Sequence, residues 1–198
     1  MSWQHACASA ETGSGYALSG RGEITPAAIP ALLVLLGSND SELSACAADQ
    51  IALLFDEAAP QLIAALGPRN PLLAALDDLL SLSPRRAAAE RRRRERIADL
   101  LGRLGTACIP LLVEALDHPC LGVRAALARA LACYGTAAVP ALLAALEDKR
   151  RCGGAADALA AIGRPACRPL TNLLRQAPPC TPQWYAASAA LRAMDAQA

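Results

Sequence analysis

Apolar residues recur along this chain in short blocks headed by a proline. Four blocks line up, at positions 28–33, 58–63, 108–113 and 138–143. Each carries Pro at its third place (Pro30, Pro60, Pro110, Pro140), and a further leucine follows (Leu36, Leu66, Leu116, Leu146). The prolines stand 30, 50 and 30 residues apart. A proline in the first turn of a helix gives up no intrahelical bond and presets φ. Apolar residues at the second, third and sixth places after it share one face of a 3.6-residue helix. Each block therefore predicts a short helix with one buried stripe.

Between the blocks lie other amphipathic stretches. Ser41 to Phe55 carries Leu43, Cys46, Ala47, Ile51 and Leu54 on one side. Leu121 to Tyr134 carries Val123, Ala126, Leu127, Ala130, Leu131 and Tyr134. Ala155 to Ile162 is a shorter version, led by Gly153-Gly154. Gly105, Gly135 and Gly163 are placed to close helices. A degenerate fifth copy sets Cys167, Leu170 and Leu174 on the expected stripe, with its proline slipped to Pro169. After Pro182, a helix over 183–194 puts Trp184, Ala187 and Leu191 on one face and closes the last layer. The repeating unit is helix, glycine turn, proline-led helix, acidic turn.

The predicted fold class is all-α, a solenoid of about five helix pairs over residues 25–198, with the middle repeat expanded. Residues 1–24 read as an N-terminal segment, capping or partly disordered. The expansion covers 67–104, where the step from Pro60 to Pro110 is 50 residues. Gly67-Pro68-Arg69-Asn70-Pro71 breaks the chain there. The strongly apolar stretch 72–82 predicts one helix, and 85–104 a second.

Composition agrees. Hydrophobic residues make up 54 % of the chain and aromatics 3 %, so the apolar mass is Ala and Leu, both strong helix formers. The net charge of +1 gives no global pull towards nucleic acid or membrane. No segment reaches the ~20 apolar residues of a membrane span, and the N-terminus lacks the basic start and apolar stretch of a signal peptide. A cytoplasmic protein is expected, with its eight cysteines reduced and mostly buried among Ala and Leu.

Residues 117–146 read DHPCLGVRAALARALACYGTAAVPALLAAL. The run V-R-x-A-A, then A-L, then G, then A-V-P-x-L-x-x-x-L resembles the 30-residue HEAT-like repeat first associated with phycobilisome lyases. The match is close over 105–150, fair over 25–66 and weak beyond 150. The resemblance implies helix pairs stacked into a right-handed superhelix whose second helices line the concave side. It also implies, as one alternative role, a bilin lyase or chaperone-like activity.

Candidate chemistry is sparse. Arg85, Arg86, Arg91, Arg92, Arg93, Arg94 and Arg96 fall within twelve residues, offset by Glu90 and Glu95. The apolar stripe of that helix is Ile97, Leu100, Leu101 and Leu104, and its backward projection lands on Arg93, Arg94 and Glu90. The helix is therefore expected to leave the core near residue 96, with its first half in water or against a partner. Arg91 to Arg94 offer forked donors for phosphates or an acidic protein surface. Nucleic-acid binding through the Arg85–Arg96 helix is the alternative reading, against which the scarcity of aromatics for base stacking weighs.

The histidines are His5 and His118. No set of three or four ligands at metal-site spacing accompanies them, so no metal, cofactor or catalytic group is expected. The paired carboxylates Asp56-Glu57, Asp77-Asp78 and Glu147-Asp148 do not face each other on a helix and fit helix ends. The fourth and eighth places after each proline form an outward ridge: Val34, Ser38, Ala64, Pro68, Glu114, His118, Ala144 and Asp148. Val34, Ala64, Glu114, His118, Ala144 and Asp148, together with Arg91 to Arg94, are the candidate partner-binding residues. The ridge is small and apolar at first and mixed in charge later, which suits a segment of another protein better than a duplex.

Overall fold

The structure is a computed structural model and describes residues 28–36, 40–53, 58–67 and 84–196. The N-terminal segment 1–24, the helix expected over 72–82, Ser38, Pro68, Asp56-Glu57 and Asp77-Asp78 lie outside those residues. Among the described residues there are ten α-helices and no strand. They are α1 (Ile29–Leu36), α2 (Ser41–Leu53), α3 (Ala59–Leu66), α4 (Pro84–Leu101), α5 (Ile109–Glu114), α6 (Leu121–Cys133), α7 (Val139–Ala145), α8 (Cys152–Ile162), α9 (Arg164–Gln176) and α10 (Pro182–Asp195).

The proline rule holds in each repeat. Pro60, Pro110 and Pro140 occupy the first turns of α3, α5 and α7, and Pro30 is the second residue of α1. The buried stripe begins one residue before the proline. Ile29, Ala59, Ile109 and Val139 are all buried, and so are the second and sixth places after it, Leu32 and Leu36, Leu62 and Leu66, Leu112 and Leu116, Leu142 and Leu146. Of the third places, Val113 is buried while Leu33, Ile63 and Leu143 are half-buried, because that place lies at the edge of the stripe. Burying one such leucine stabilises the fold by roughly 1.5–3 kcal/mol.

The chain forms two compact units, Met1–Arg96 and Ile97–Ala198. In the first, α1 packs on α2. The buried Ser44 hydroxyl of α2 donates to the Leu36 carbonyl oxygen at 3.2 Å, satisfying one of the carbonyls left open at the end of α1. The second unit is a helical-repeat stack of two rows. α6, α8 and α10 lie side by side in one row, and α5, α7 and α9 in the other. Its core is leucine and alanine: Leu127, Leu131, Ala155, Ala158 and Leu159 are fully or nearly fully buried. Alanine keeps the axes close.

Several boundaries differ from the sequence reading, each for a local reason. Gly153 and Gly154 lie inside α8 and do not precede it. Gly154 faces Leu116, where an added Cβ would meet the leucine side chain at 3.1 Å and its carbonyl oxygen at 3.3 Å, so the glycine is a packing residue. α4 ends at Leu101. Gly105 is extended (φ −65°, ψ 159°) and leads the 3-10 turn Thr106–Cys108, so it is not a left-handed helix cap. Gly163 (φ 76°) and Gly135 (φ 54°) do carry the left-handed backbone expected of closing glycines. The proline-led helix of the degenerate fifth copy, α9, carries Pro165 in its first turn, and Pro169 sits inside it. α10 is capped by Thr181, whose hydroxyl accepts the Trp184 N–H at 3.2 Å.

Candidate functional site

The proline-led helices α5 and α7 leave an open groove in the second unit, with a volume of about 550 Å³. Its floor is small and apolar: Pro110 and Val113 come from α5, Ala141, Ala144 and Ala145 from α7. Its rim is charged, with Glu114 at the end of α5 and Glu147, Asp148 and Arg151 after α7. Three of the ridge residues read from the sequence, Glu114, Ala144 and Asp148, are thus brought together here. The others of the lining escaped that reading because it followed only the fourth and eighth places after proline. Val113 and Glu147 occupy the third and seventh places, which a helix sets beside that ridge.

The rim carboxylates differ in state. Asp148 accepts the Arg150 backbone N–H at 2.9 Å and pairs with the Arg151 guanidinium at 2.9 Å. The backbone hydrogen bond first, and the two arginines after it, hold its carboxyl below the usual aspartate range despite some desolvation. Glu114 and Glu147 are exposed. Among the described residues neither has an ion-pair partner.

His118 is not part of the groove lining. Its Nδ1 accepts the Cys120 N–H at 3.1 Å, so its ring braces the turn before α6. In the first unit, Val34 (56 % exposed) and Ala64 point to solvent as expected of the ridge.

The arginine helix is placed otherwise than its charge pattern implies. Arg93 is only 8 % exposed. Its guanidinium donates to the carbonyl oxygens of Ala65 and Gly67 (2.7 Å to Gly67) and to Glu90 Oε2 at 2.8 Å. Arg94 Nε donates to the Leu66 carbonyl at 3.1 Å, and Arg96 to the Leu36 carbonyl at 2.7 Å. The stretch of α4 from Arg93 to Arg96 therefore does not stand free. Three arginines close the C-terminal ends of α1 and α3, whose last carbonyls have no intrahelical donor and carry the negative end of the helix dipole. Arg91 and Arg92 remain exposed, with Arg91 paired to Glu95 at 3.0 Å.

The first-turn prolines recur at the repeat spacing, and the ion pairs Arg129–Asp99 and Arg150–Asp117 (2.9 and 3.2 Å) each join residues about one repeat apart in sequence. Residues 79–151 match the HEAT repeats family model. The whole groove lies inside the HEAT segment, which runs from α4 to the end of the turn after α7. No curated protein and no solved structure matched the chain. Among the described residues no His, Cys, Asp or Glu side chains gather in threes as a metal site requires, and no helix is long and apolar enough to cross a membrane.

Proposed function

We propose that this chain is a non-catalytic protein-interaction module, of the scaffold, assembly-factor or inhibitor kind, and that the α5–α7 groove is where the partner sits. HEAT repeats are generally protein-interaction scaffolds. The observation that carries the reading is the groove itself: small apolar side chains with charged groups beside them, lying between the proline-led helices of two consecutive repeats. The floor is too shallow to enclose a small molecule and is open to a segment of polypeptide.

The test is affinity capture from native lysate with the wild-type chain and with Ala144→Arg, nuclease-treated in parallel. A stoichiometric protein held by the wild type, resistant to nuclease and lost from Ala144→Arg, supports the reading. Capture unaffected by Ala144→Arg removes the groove from it. Kinship with the phycobilisome-lyase branch has only the repeat pattern behind it. An absorbance shift on mixing with a free bilin is the observation that would revive a lyase-like role.

A further inference from the structure

The charges around the groove are not those of the molecule. The chain as a whole is balanced at +1, whereas the groove rim carries three carboxylates, Glu114, Glu147 and Asp148, against one guanidinium, Arg151. That guanidinium is already committed to Asp148 at 2.9 Å. Lys149 lies next in sequence to Asp148 but is not part of the lining. The rim therefore presents two exposed carboxylates, Glu114 and Glu147, with no ion pair among the described residues to neutralise them. One comes from each of the two repeats that form the groove, and the alanine floor lies with them.

We infer that the groove takes a short basic segment of a partner protein, with small apolar side chains on the floor and Lys or Arg side chains on Glu114 and Glu147. This rests on the groove reading given above and adds the chemistry of the occupant. Charge complementarity selects the occupant. An acidic or phosphorylated segment, or a nucleic-acid backbone, meets two like charges at the rim, and like-charge juxtaposition is a strong barrier to a wrong partner. An uncharged apolar segment fits the floor but leaves both carboxylates unanswered. The floor sets the size of what lies between the cations. With Pro110, Ala141 and Ala144 there, it accepts alanine- or proline-sized groups close to the backbone. Nine residues line the groove, fewer than the roughly 20–30 residues a side of a stable complex. Binding of the isolated segment is therefore expected to be weak, on the order of micromolar or above, and rapid.

The experiment uses the full chain and a fluorescent, alanine-rich synthetic peptide carrying one lysine and one arginine. Counterparts replace both cations with glutamine or with glutamate, and binding is read by fluorescence anisotropy. The basic peptide is expected to bind, and the glutamine and glutamate peptides to bind more weakly in that order. The affinity should fall as salt rises from ~0.05 M to ~0.5 M, because exposed pairs are screened. Glu114→Gln with Glu147→Gln should weaken the basic peptide by about three- to tenfold, as expected for two exposed ion pairs. Ala144→Gln, which fills the floor without changing charge, should weaken both the basic and the glutamine peptide. Equal binding of the basic and glutamine peptides overturns the inference, as does an affinity unchanged in the double glutamine variant. The same variants in the lysate capture separate the two readings. If Ala144→Gln loses the partner and the double glutamine variant keeps it, the groove stands and the basic segment falls. If neither loses it, the groove reading itself falls.

Discussion

The guanidinium of Arg93 donates to the carbonyl oxygen of Gly67 at 2.7 Å, across 26 residues of chain. It also reaches Ala65, the next-to-last residue of α3, and is fixed from its own helix by Glu90. A nearly buried charge held by two carbonyls and a carboxylate is satisfied only while all three are present. Arg93→Ala removes the donor and leaves those acceptors open, so it is expected to cost about 2–3 kcal/mol. Arg93→Lys keeps the charge but loses the fork and should recover only part of this. Arg92→Ala, one residue away and exposed, should stay within about 0.5 kcal/mol of wild type. Urea unfolding of the three variants checks the ordering. Equal losses at 92 and 93 would show that the carbonyl contacts carry no weight.

Two glycines should respond to alanine in a fixed order. An added Cβ at Gly102 would lie 2.7 Å from both the Cβ and the Sγ of Cys133, closer than packed atoms stand. The Cβ of Cys133 cannot rotate away, so α6 must shift. At Gly154 the nearest atoms are those of Leu116 at 3.1–3.3 Å, a smaller conflict. Gly102→Ala is expected to destabilise by about 1–3 kcal/mol, the usual cost of overpacking, and Gly154→Ala by less. Adding Cys133→Ala should relieve Gly102→Ala only in part, since it removes Sγ and leaves Cβ in place. Thermal melts of the two single variants and the double variant read this directly.

Asp148 and Asp157 predict opposite responses to acid. Partial burial pushes the Asp157 carboxyl above 3.8, against the pull of the Arg124 guanidinium. Its protonated form is thus favoured by folding. The stabilisation is fully present below 3.8 and is lost as pH rises through the raised value. Asp157→Asn should therefore stabilise the chain at pH 7, by less than about 1 kcal/mol given the solvent around the group, and the gain should vanish below pH ~3.8. Asp148 is shifted the other way, chiefly by the Arg150 N–H. Its contribution is present above 3.8 and lost as pH falls through the lowered value. Asp148→Asn should lose stability at neutral pH and not in strong acid. Urea midpoints of both variants at neutral and acid pH check the signs.

The repeat was legible because it is written in local terms. Prolines preset helix starts, and leucines at fixed offsets mark the buried face. Arg93, by contrast, was read as exposed because the apolar stripe of α4 projects onto it. The projection was right: Arg93 does face inward. What periodicity does not carry is that the inward surface at that level is the polar end of α3, where a cation is favoured over an apolar side chain. Gly154 was read as a helix starter for a similar reason, since Leu116 comes against it only through packing between repeats. The groove was half visible. Glu114, Ala144 and Asp148 followed from spacing, whereas the pairing of Asp148 with Arg151, which leaves the two glutamates unanswered, depends on side-chain geometry.

The carbonyl contacts of Arg93 and Arg94 also decide how the remaining phosphate question is to be asked. Reversing all four of Arg91 to Arg94 would strip the donors from the end of α3 and confuse lost binding with lost folding. Arg91→Glu with Arg92→Glu touches only exposed groups and one exposed pair, Arg91–Glu95, worth a few tenths of a kcal/mol. Its unfolding midpoint should match wild type. If the chain binds proteins through its groove, this double variant should elute from heparin at the same salt as wild type and capture the same nuclease-resistant partner. A steep loss of retention with salt, abolished by the double variant, would point to a phosphate-binding face at Arg91 and Arg92 and would move the function from the α5–α7 groove to the exposed face of α4.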